Sequence, residues 1–409
     1  MLLTRSRLPT SLSRRAFLSG VIALPMLRTG AGSAAPDPDP TDLDVTFIFA
    51  SDMHACRVGI ELSPHCGEQG KTDENLRRHV QALNRLPHMR WPEMVGGAQS
   101  GLVSAGSRIG RPLGLVIGGD ITDDGGGQVA RPEEGRQLLQ FSEHYRQGHG
   151  PDRVHFPVFV GLGNHDLDQD GPRSDIDWYR REMRDYVELQ HRPSVVFKPR
   201  VPAGNYDFAS DDYSWDWGRL HLVQAHRFAG DRNKGAASGL PWLKADLAQN
   251  ASDGRPVILF QHYGWDSFSV ERWDPQAGRF TASGSGVPHW WSEAEREALL
   301  EVLAGYNVIG IFHGHEHDTP MIYKVRRFDV FKPVASFKGG LALVRITSRR
   351  MDVALGQARL LHGGIEFTHA FSKPLAPGLA KPRPSLFEQP ASLPPGSSGS
   401  DSLEERDRH

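Results

Sequence analysis

The chain has 409 residues and a formal net charge of −2 at pH 7. This length is enough for one large or two ordinary domains, so a small disulfide-stapled fold is excluded. The balanced charge gives no indication of a nucleic-acid or acidic-polymer partner. The 19 histidines are the one unusual count, and they become important only if several of them follow strands.

The N-terminus has the pattern of a bacterial twin-arginine export signal. Residues 13–18 read Ser-Arg-Arg-Ala-Phe-Leu, an apolar run follows over 21–27, and small residues end at Ala35. This order predicts a signal peptide over 1–35, export through the twin-arginine machinery, and a periplasmic or secreted protein. A basic disordered arm is the alternative. The apolar run is too short to be a permanent membrane anchor, and no later stretch predicts a transmembrane helix.

Five apolar runs of strand length are each followed by polar side chains that can bind metals. The runs cover residues 45–50, 113–117, 156–160, 256–260 and 308–312. Continuous apolar runs of this length are typical of strands buried on both faces. The polar side chains that follow them, in chain order, are Asp52 and His54, then Asp120, then Asn164, His165 and Asp166, then His262, then His315 and His317.

Helical patterns separate most of these strands. The predicted helices cover residues 73–86, 132–146, 175–189, 240–248 and 292–303. Short antiparallel strands are predicted over 206–208, 213–217 and 220–225, and a β-meander over 321–323, 328–331, 341–346 and 351–355. The alternation predicts an α/β layered fold with one catalytic domain over 41–371. Residues 372–409, rich in Pro and Ser, are predicted to be a disordered tail.

The residue types after the five strands indicate a metal site. In open α/β sheets, ligands bind at the carboxyl ends of strands. Carboxylate oxygens and imidazole nitrogens together suit Zn, Fe, Mn, Co or Ni better than Ca or Mg alone. If seven of these nine side chains are metal ligands, they are too many for one catalytic zinc and suit two metals that share a carboxylate.

The order of these motifs resembles the calcineurin-like metallophosphoesterase superfamily. The pattern D-x-H, G-D, G-N-H-D, H and G-H-x-H is present as residues 52–54, 119–120, 163–166, 262 and 314–317. Together the five motifs are a specific indication of this superfamily, although each motif alone would be a weak one. The resemblance implies a four-layer α/β/β/α sandwich, with two mixed sheets and flanking helices.

The resemblance also implies a role for each motif residue. Asp52, His54 and His317 would hold one metal, and Asn164, His262 and His315 the other. Asp120 would bridge the two metals, and a hydroxide between them would attack phosphorus. His165 would protonate the leaving oxygen, and Asp166 would orient His165. A Tyr that ligates ferric iron in the purple acid phosphatase branch is replaced here by Asp123, so that branch is excluded and the metal identity stays open.

Other candidate residues have both a functional and a structural interpretation. His226 and Arg227 follow the predicted strand 220–225, and Tyr263 and Trp265 begin an aromatic loop after His262. All four could contact substrate, or they could belong to the core. Cys56 and Cys66 are the only cysteines. In an oxidising compartment they are predicted to form a disulfide, and two free thiols or a thiolate near a metal are the alternatives.

The predicted function is therefore an exported, dinuclear, metal-dependent phosphoesterase. Its substrate would be a phosphate-ester small molecule or a lipid headgroup. A phosphodiesterase of the glycerophosphodiester, cyclic-nucleotide or phospholipid type is the alternative to a phosphomonoesterase, and the sequence does not separate them. A non-catalytic binding scaffold of the same fold is a further alternative. The presence of every motif ligand and of His165 argues against it.

Overall fold

The computed structural model describes residues 43–58, 61–62, 64–123, 135–167, 173–231, 238–266, 273–274, 279–280, 291–361 and 363–376. The predicted signal peptide over 1–35 lies outside these residues, as does the predicted tail beyond residue 376. Within the described residues, none of the helices has the length and apolar composition that crossing a membrane requires.

The described strands form two large mixed sheets and three two-stranded pairs. In chain order they are β1 (Asp44–Ala50), β2 (Arg57–Val58), β3 (Glu61–Leu62), β4 (Met94–Val95), β5 (Ala98–Gln99), β6 (Leu115–Ile117), β7 (Val158–Phe159), β8 (Asn205–Tyr206), β9 (Tyr213–Trp217), β10 (Leu220–Gln224), β11 (Val257–Phe260), β12 (Trp273–Asp274), β13 (Arg279–Phe280), β14 (Val308–Phe312), β15 (Met321–Val325), β16 (Phe328–Lys332), β17 (Gly340–Thr347), β18 (Arg350–Ala358) and β19 (Ile365–Pro374).

Helices lie between many of the strands. They are α1 (Pro64–Glu68), α2 (Asp73–Arg85), α3 (Gly135–Tyr145), α4 (Asn164–Leu167), α5 (Arg173–His191), α6 (Leu240–Asn250) and α7 (Glu293–Leu303). Local sequence explains where two of them begin. The Thr72 side chain accepts a hydrogen bond from the backbone N–H of Asn75 at the start of α2. Ser292 and Glu295 form a capping box at the start of α7.

The first sheet has the order β19-β18-β17-β1-β6-β7, and the second has the order β15-β16-β14-β11-β10-β9-β8. In the first sheet β1, β6 and β7 are parallel, and in the second β10, β11, β14 and β16 are parallel. Parallel strands deliver their carboxyl ends to one edge of a sheet. The predicted mixed α/β architecture with flanking helices is confirmed.

Side-chain alternation along β11 shows how the layers are built. Ile258 and Phe260 belong to the core that includes the first sheet, whereas Val257 and Leu259 pack in a separate cluster with α6 and α7. This period of two is what a strand buried on both faces requires. Between the sheets, Phe49 of β1 lies 5.7 Å from Phe260 and 5.4 Å from Phe312, measured between ring centroids.

The first sheet extends further than the sequence predicted. The edge strand β19 was not predicted, because its residues are mostly half-exposed and lack a continuous apolar run. It ends at Pro374. Residues 372–374, which were predicted to begin the tail, therefore form the end of this strand. The second and third motif-bearing strands, β6 and β7, are also shorter than their apolar runs.

Candidate metal centre

Loops from both sheets converge at one end of the fold. The first sheet contributes the segments after β1, β6 and β7, and the second contributes those after β11 and β14. The first two loops remain paired past their strands, since the backbone N–H groups of Asp52 and His54 donate to the carbonyls of Gly119 and Asp120. The predicted motif residues are therefore brought together from five separate parts of the chain.

Four of these residues have left-handed backbone conformations. Their φ angles are 60° at Asp52, 45° at His54, 49° at Asp120 and 75° at His315. Asp and His are among the residues that tolerate this region best, although each such conformation costs on the order of 1–3 kcal/mol. The sharp turns direct carboxylates and imidazoles inward from the strand ends.

Two glycines allow the loops to approach each other closely. A Cβ atom at Gly163 would collide with the Asp120 carboxylate, and one at Gly314 would collide with the side chains of Ser51 and Asp52. Both glycines precede residues of the predicted ligand set. Glycine is therefore required at these positions by the packing of loop against carboxylate.

The first donor set consists of Asp52, His54, Asp120 and His317, with one ligand atom of each within 4.8 Å of the others. Nε2 of His54 lies 3.0 Å from Nε2 of His317 and 3.6 Å from Oδ2 of Asp120. Nε2 of His317 lies 3.6 Å from Oδ1 of Asp52. The ligand atoms of all four residues thus face a common point.

The second donor set consists of Asp120, His262 and His315 under the same 4.8 Å criterion. Asn164 extends it, because its Oδ1 lies 3.0 Å from Nε2 of His262. Oδ2 of Asp120 lies 3.1 Å from the same nitrogen. Asp120 belongs to both sets, which is the position that a bridging carboxylate occupies.

The chemistry of the donors fits transition-metal ions. Nδ1 of His54 bonds to Oδ1 of Asp123 and Nδ1 of His262 to the carbonyl of Gly118, both at 3.0 Å. A ring nitrogen bonded to these oxygens carries a proton, so Nε2 is the nitrogen of each ring that remains to bind an ion. Burial also lowers the pKa of His54 and of His315 well below the usual value, which keeps both imidazoles neutral.

The electrostatics keep Asp120 ionised. Burial disfavours its charge, but the charge and the hydrogen bond of His262 outweigh this and hold the pKa of Asp120 well below its usual value. Asp52, His54, Asp120 and His262 are fully buried, whereas the side chain of His317 is 27% exposed. Solvent therefore reaches the centre at the side of His317 and the half-buried His165.

His165 lies beside the donor sets. Its ring is 4.7 Å from the ring of His54, and its backbone N–H donates to Oδ1 of Asp120 at 2.9 Å. Nδ1 of His165 bonds to the backbone carbonyl of Asp123. Because a carbonyl oxygen only accepts, Nδ1 must carry a proton, and this fixes the orientation of the ring with Nε2 facing away from that carbonyl.

The prediction that Asp166 orients His165 is wrong. The buried Asp166 carboxylate accepts four hydrogen bonds, two at Oδ1 from the backbone N–H and hydroxyl of Thr122, and two at Oδ2 from the N–H groups of Ile121 and Gly163. These bonds use both oxygens fully. Burial and the charge of Asp120 raise the pKa of Asp166 to about 6. Through these bonds, Asp166 connects the segment that follows Asp120 to the turn that contains Gly163.

Asp123 is the positioning residue that sequence reasoning missed. Its carbonyl holds His165, its carboxylate holds His54, and the ammonium of the buried Lys71 pairs with the same carboxylate. Burial opposes ionisation, but His54 and Lys71 hold the pKa of Asp123 well below its usual value. Its place three residues after Asp120 was the available signal. Sequence reasoning used that position only to note that Asp123 replaces the iron-binding tyrosine of the purple acid phosphatase branch.

Two of the predicted substrate contacts are wrong. Nδ1 of His226 accepts from the N–H of Leu162 at 3.1 Å, and Nε2 bonds to the carbonyl of Asp211 at 2.7 Å. Arg227 is buried and bonds to Asp231 through its guanidinium. Both side chains are committed to the protein interior, so neither reaches a bound substrate.

The aromatic residues after His262 pack inward. Tyr263 is fully buried, and its ring lies 4.6 Å from the ring of His315. Trp265 is half-buried against Trp291, 4.7 Å away between ring centroids. Tyr263 therefore supports a ligand rather than contacting substrate, and a substrate contact by Trp265 stays a prediction.

The two cysteines are joined. Cys56 and Cys66 form a disulfide, with their Cα atoms 6.0 Å apart, and both are buried. The predicted disulfide is therefore present, rather than two free thiols or a thiolate near a metal. It lies next to the centre, because the neighbouring Ala55 donates its N–H to Ile121 and accepts from the N–H of Asp123.

The sequence profile of calcineurin-like phosphoesterases matches residues 45–319, more than half of the chain. Among solved structures, a dimetal phosphatase from Danio rerio is 14% identical with a TM-score of 0.47, and the match covers 83% of this chain and 100% of that one. PhoD is 10% identical with a TM-score of 0.49, covering 81% and 70% respectively. No curated protein sequence matches the chain significantly.

The role of Asp166 can be tested with Asp166→Asn. We expect it to lower the free energy of unfolding by about 2–4 kcal/mol, because an amide nitrogen would face buried N–H donors. Thr122→Val is the matched control. It removes one of the four hydrogen bonds and should cost about 1 kcal/mol. Denaturant unfolding at saturating metal measures both. If Asp166→Asn were as stable as the unmodified protein but had lost turnover, Asp166 would again be assigned the role of orienting His165.

Proposed function

We propose that this chain, which belongs to the calcineurin-like phosphoesterase family, hydrolyses phosphate esters at a centre of two transition-metal ions. Family membership over residues 45–319 makes it a metal-dependent phosphoester hydrolase. The number of ions is our proposal. The observation that supports it is the pair of donor sets, each drawn from both sheets, that share only Asp120.

In this proposal the residues divide as the motifs indicate. Asp52, His54 and His317 would hold one ion, Asn164, His262 and His315 would hold the other, and Asp120, which belongs to both donor sets, would be shared by them. Bound ions supply Lewis acidity toward phosphoryl oxygens and lower the pKa of water. Asp52 and Asp120 contribute only two negative charges, so a centre loaded with two divalent ions keeps a positive charge that attracts a phosphate.

His165 acts as the general acid in the proposed reaction. It lies at the solvent-accessible side of the centre, where a substrate would arrive, and its ring touches that of His54. The carbonyl of Asp123 holds its Nδ1. Nε2, on the opposite side of the ring, can then be aimed at the leaving oxygen. In the imidazolium form Nε2 also carries a proton, and its transfer to that oxygen as the P–O bond breaks releases the alcohol and leaves the neutral ring.

We also propose that the chain is exported by the twin-arginine machinery. The support is the Arg14-Arg15 pair, the apolar run over 21–27 and the small residues that end at Ala35. This route transports folded proteins, so the metal centre would be assembled before export.

The metal content tests the proposed centre. Protein loaded with Mn, Fe, Zn, Co or Ni should contain about two ions per chain. Asp120→Asn should lose both ions, whereas the control Asp185→Asn, at an exposed acid on α5, should keep them. Elemental analysis measures this, together with turnover of an aryl phosphate monoester and the matching diester. A metal-free chain with full turnover would rule out the proposed centre.

His165→Ala tests the general acid. We expect unchanged metal content and a fall in kcat of about 10²–10⁴-fold for an alkyl phosphate, because general acids contribute this much. An aryl phosphate, whose leaving group needs less protonation, should lose less. His369→Ala, at a half-exposed histidine on β19, serves as the control. Steady-state kinetics on both esters would contradict the role if the alkyl ester were hydrolysed at the normal rate.

Replacing the arginine pair tests export. In a bacterial host with this machinery, the Arg14→Lys/Arg15→Lys variant should accumulate in the cytoplasm with its first 35 residues attached. The control Arg5→Lys/Arg7→Lys should be processed and exported. Cell fractionation with N-terminal sequencing distinguishes them, and equal export of both variants would refute the twin-arginine route.

A further inference from the structure

A large cavity lies apart from the candidate metal centre and shares no residue with it. Its volume is about 820 Å³. It is bounded by the segments at the carboxyl ends of α2, α3 and α5 and by one face of the edge strand β7. Phe156, Val158 and Val160 form that apolar wall. Phe159, on the other face of the strand, stacks on Trp215 of the second sheet.

The remaining lining is strongly basic. The described lining residues include no Asp or Glu, and the basic ones among them are His88, Arg111, Arg146, His149, His155 and Arg200. Among these, Arg111, Arg146 and Arg200 carry a positive charge at pH 7. Uncompensated positive charge of this kind attracts anions.

The three arginines have no acidic partner. In the part of the chain that the structure describes, neither Arg111, Arg146 nor Arg200 makes an ion pair. Nε of Arg146 is buried and makes no hydrogen bond to a described residue. Burying a guanidinium N–H without an acceptor is unfavourable, so an acceptor from a ligand would satisfy it.

Capping of helix ends does not explain the basic residues. The terminal carbonyls of α3 and α5 already have backbone partners, since Val154 donates to His144 and Ala203 to His191. Arg146, Arg200 and Tyr186 instead all line the cavity. Burial raises the pKa of Tyr186, and both guanidinium groups oppose that rise. The two arginines therefore converge on one part of the cavity.

We propose that this cavity binds an organic polyphosphate, such as a nucleoside triphosphate. Arginine forks match phosphate oxygens in bidentate geometry. The volume is far larger than a phosphate ion needs and lies within the range of roughly 300–1,000 Å³ of small-molecule sites. The half-buried ring of Tyr186 offers a surface for the organic part of the molecule. This binding is independent of the reaction proposed at the metal centre.

The test uses the metal-loaded protein and two probes, adenosine imidotriphosphate, which resists hydrolysis, and inorganic triphosphate. Besides any binding at the metal centre, which the substitutions leave unchanged, isothermal titration should show a class of site that Arg146→Gln/Arg200→Gln weakens by about 10–100-fold, as loss of charge-assisted hydrogen bonds predicts. The control Arg219→Gln/Arg349→Gln makes the same charge change at exposed positions outside the cavity. It should bind as the unmodified protein does.

Further readouts keep the outcomes separate. The Arg146→Gln/Arg200→Gln variant should hydrolyse an aryl phosphate at the normal rate, because it alters no residue of the metal centre. On the unmodified protein, adenosine imidotriphosphate should protect Arg146 and Arg200, but not Arg349, from an arginine-specific dicarbonyl reagent. Unaltered binding by the cavity variant, equal loss in the control, or absent protection would overturn the site. Equal affinity for the two probes would overturn the requirement for an organic part.

Discussion

The buried carboxylate of Asp120 is the constraint on which the rest of the centre depends. Its Oδ2 lies 3.1 Å from His262 and 3.6 Å from His54, and its Oδ1 accepts from the N–H of His165. An ionised carboxylate is costly to bury unless positive charge and donors surround it. The N–H of His165 donates to Oδ1, whereas Oδ2 has no hydrogen-bond partner among the described residues and is left for the proposed ions. Asp166 ties the backbone after Asp120 to the Gly163 loop, and Gly163 leaves room for the carboxylate itself.

The two sheets turn this local requirement into a rigid geometry. Rings of β1, β11 and β14 interlock in the layer between the sheets, and the side chain of Gln224 in the second sheet donates to the carbonyl of Ile117 in the first, at 2.8 Å. Strands fixed in this way deliver their ends with little freedom. Side chains held on such elements need little reorganisation to bind ions, which favours preorganised catalysis.

Much of this could be predicted from sequence, because the ligands directly follow apolar runs that must be strands. The failures have a common physical cause. Asp166 follows His165 directly, whereas Asp123 lies 42 residues away in the chain, and only the tertiary structure brings the Asp123 carbonyl to the His165 ring. His226 also follows a strand, yet both its nitrogens are used by backbone groups from distant segments. Strand β19 is half-exposed, so its pairing with β18 left no apolar signal.

Asp123 joins parts of the centre that have different proposed roles. Its carboxylate orients His54, a proposed ligand, while its carbonyl orients His165, the proposed acid. Lys71 balances the carboxylate, and its own backbone N–H donates to the carbonyl of Cys66 in the disulfide. A shift of this one residue would therefore disturb metal binding and proton transfer together. The disulfide loop is therefore part of the support of the centre.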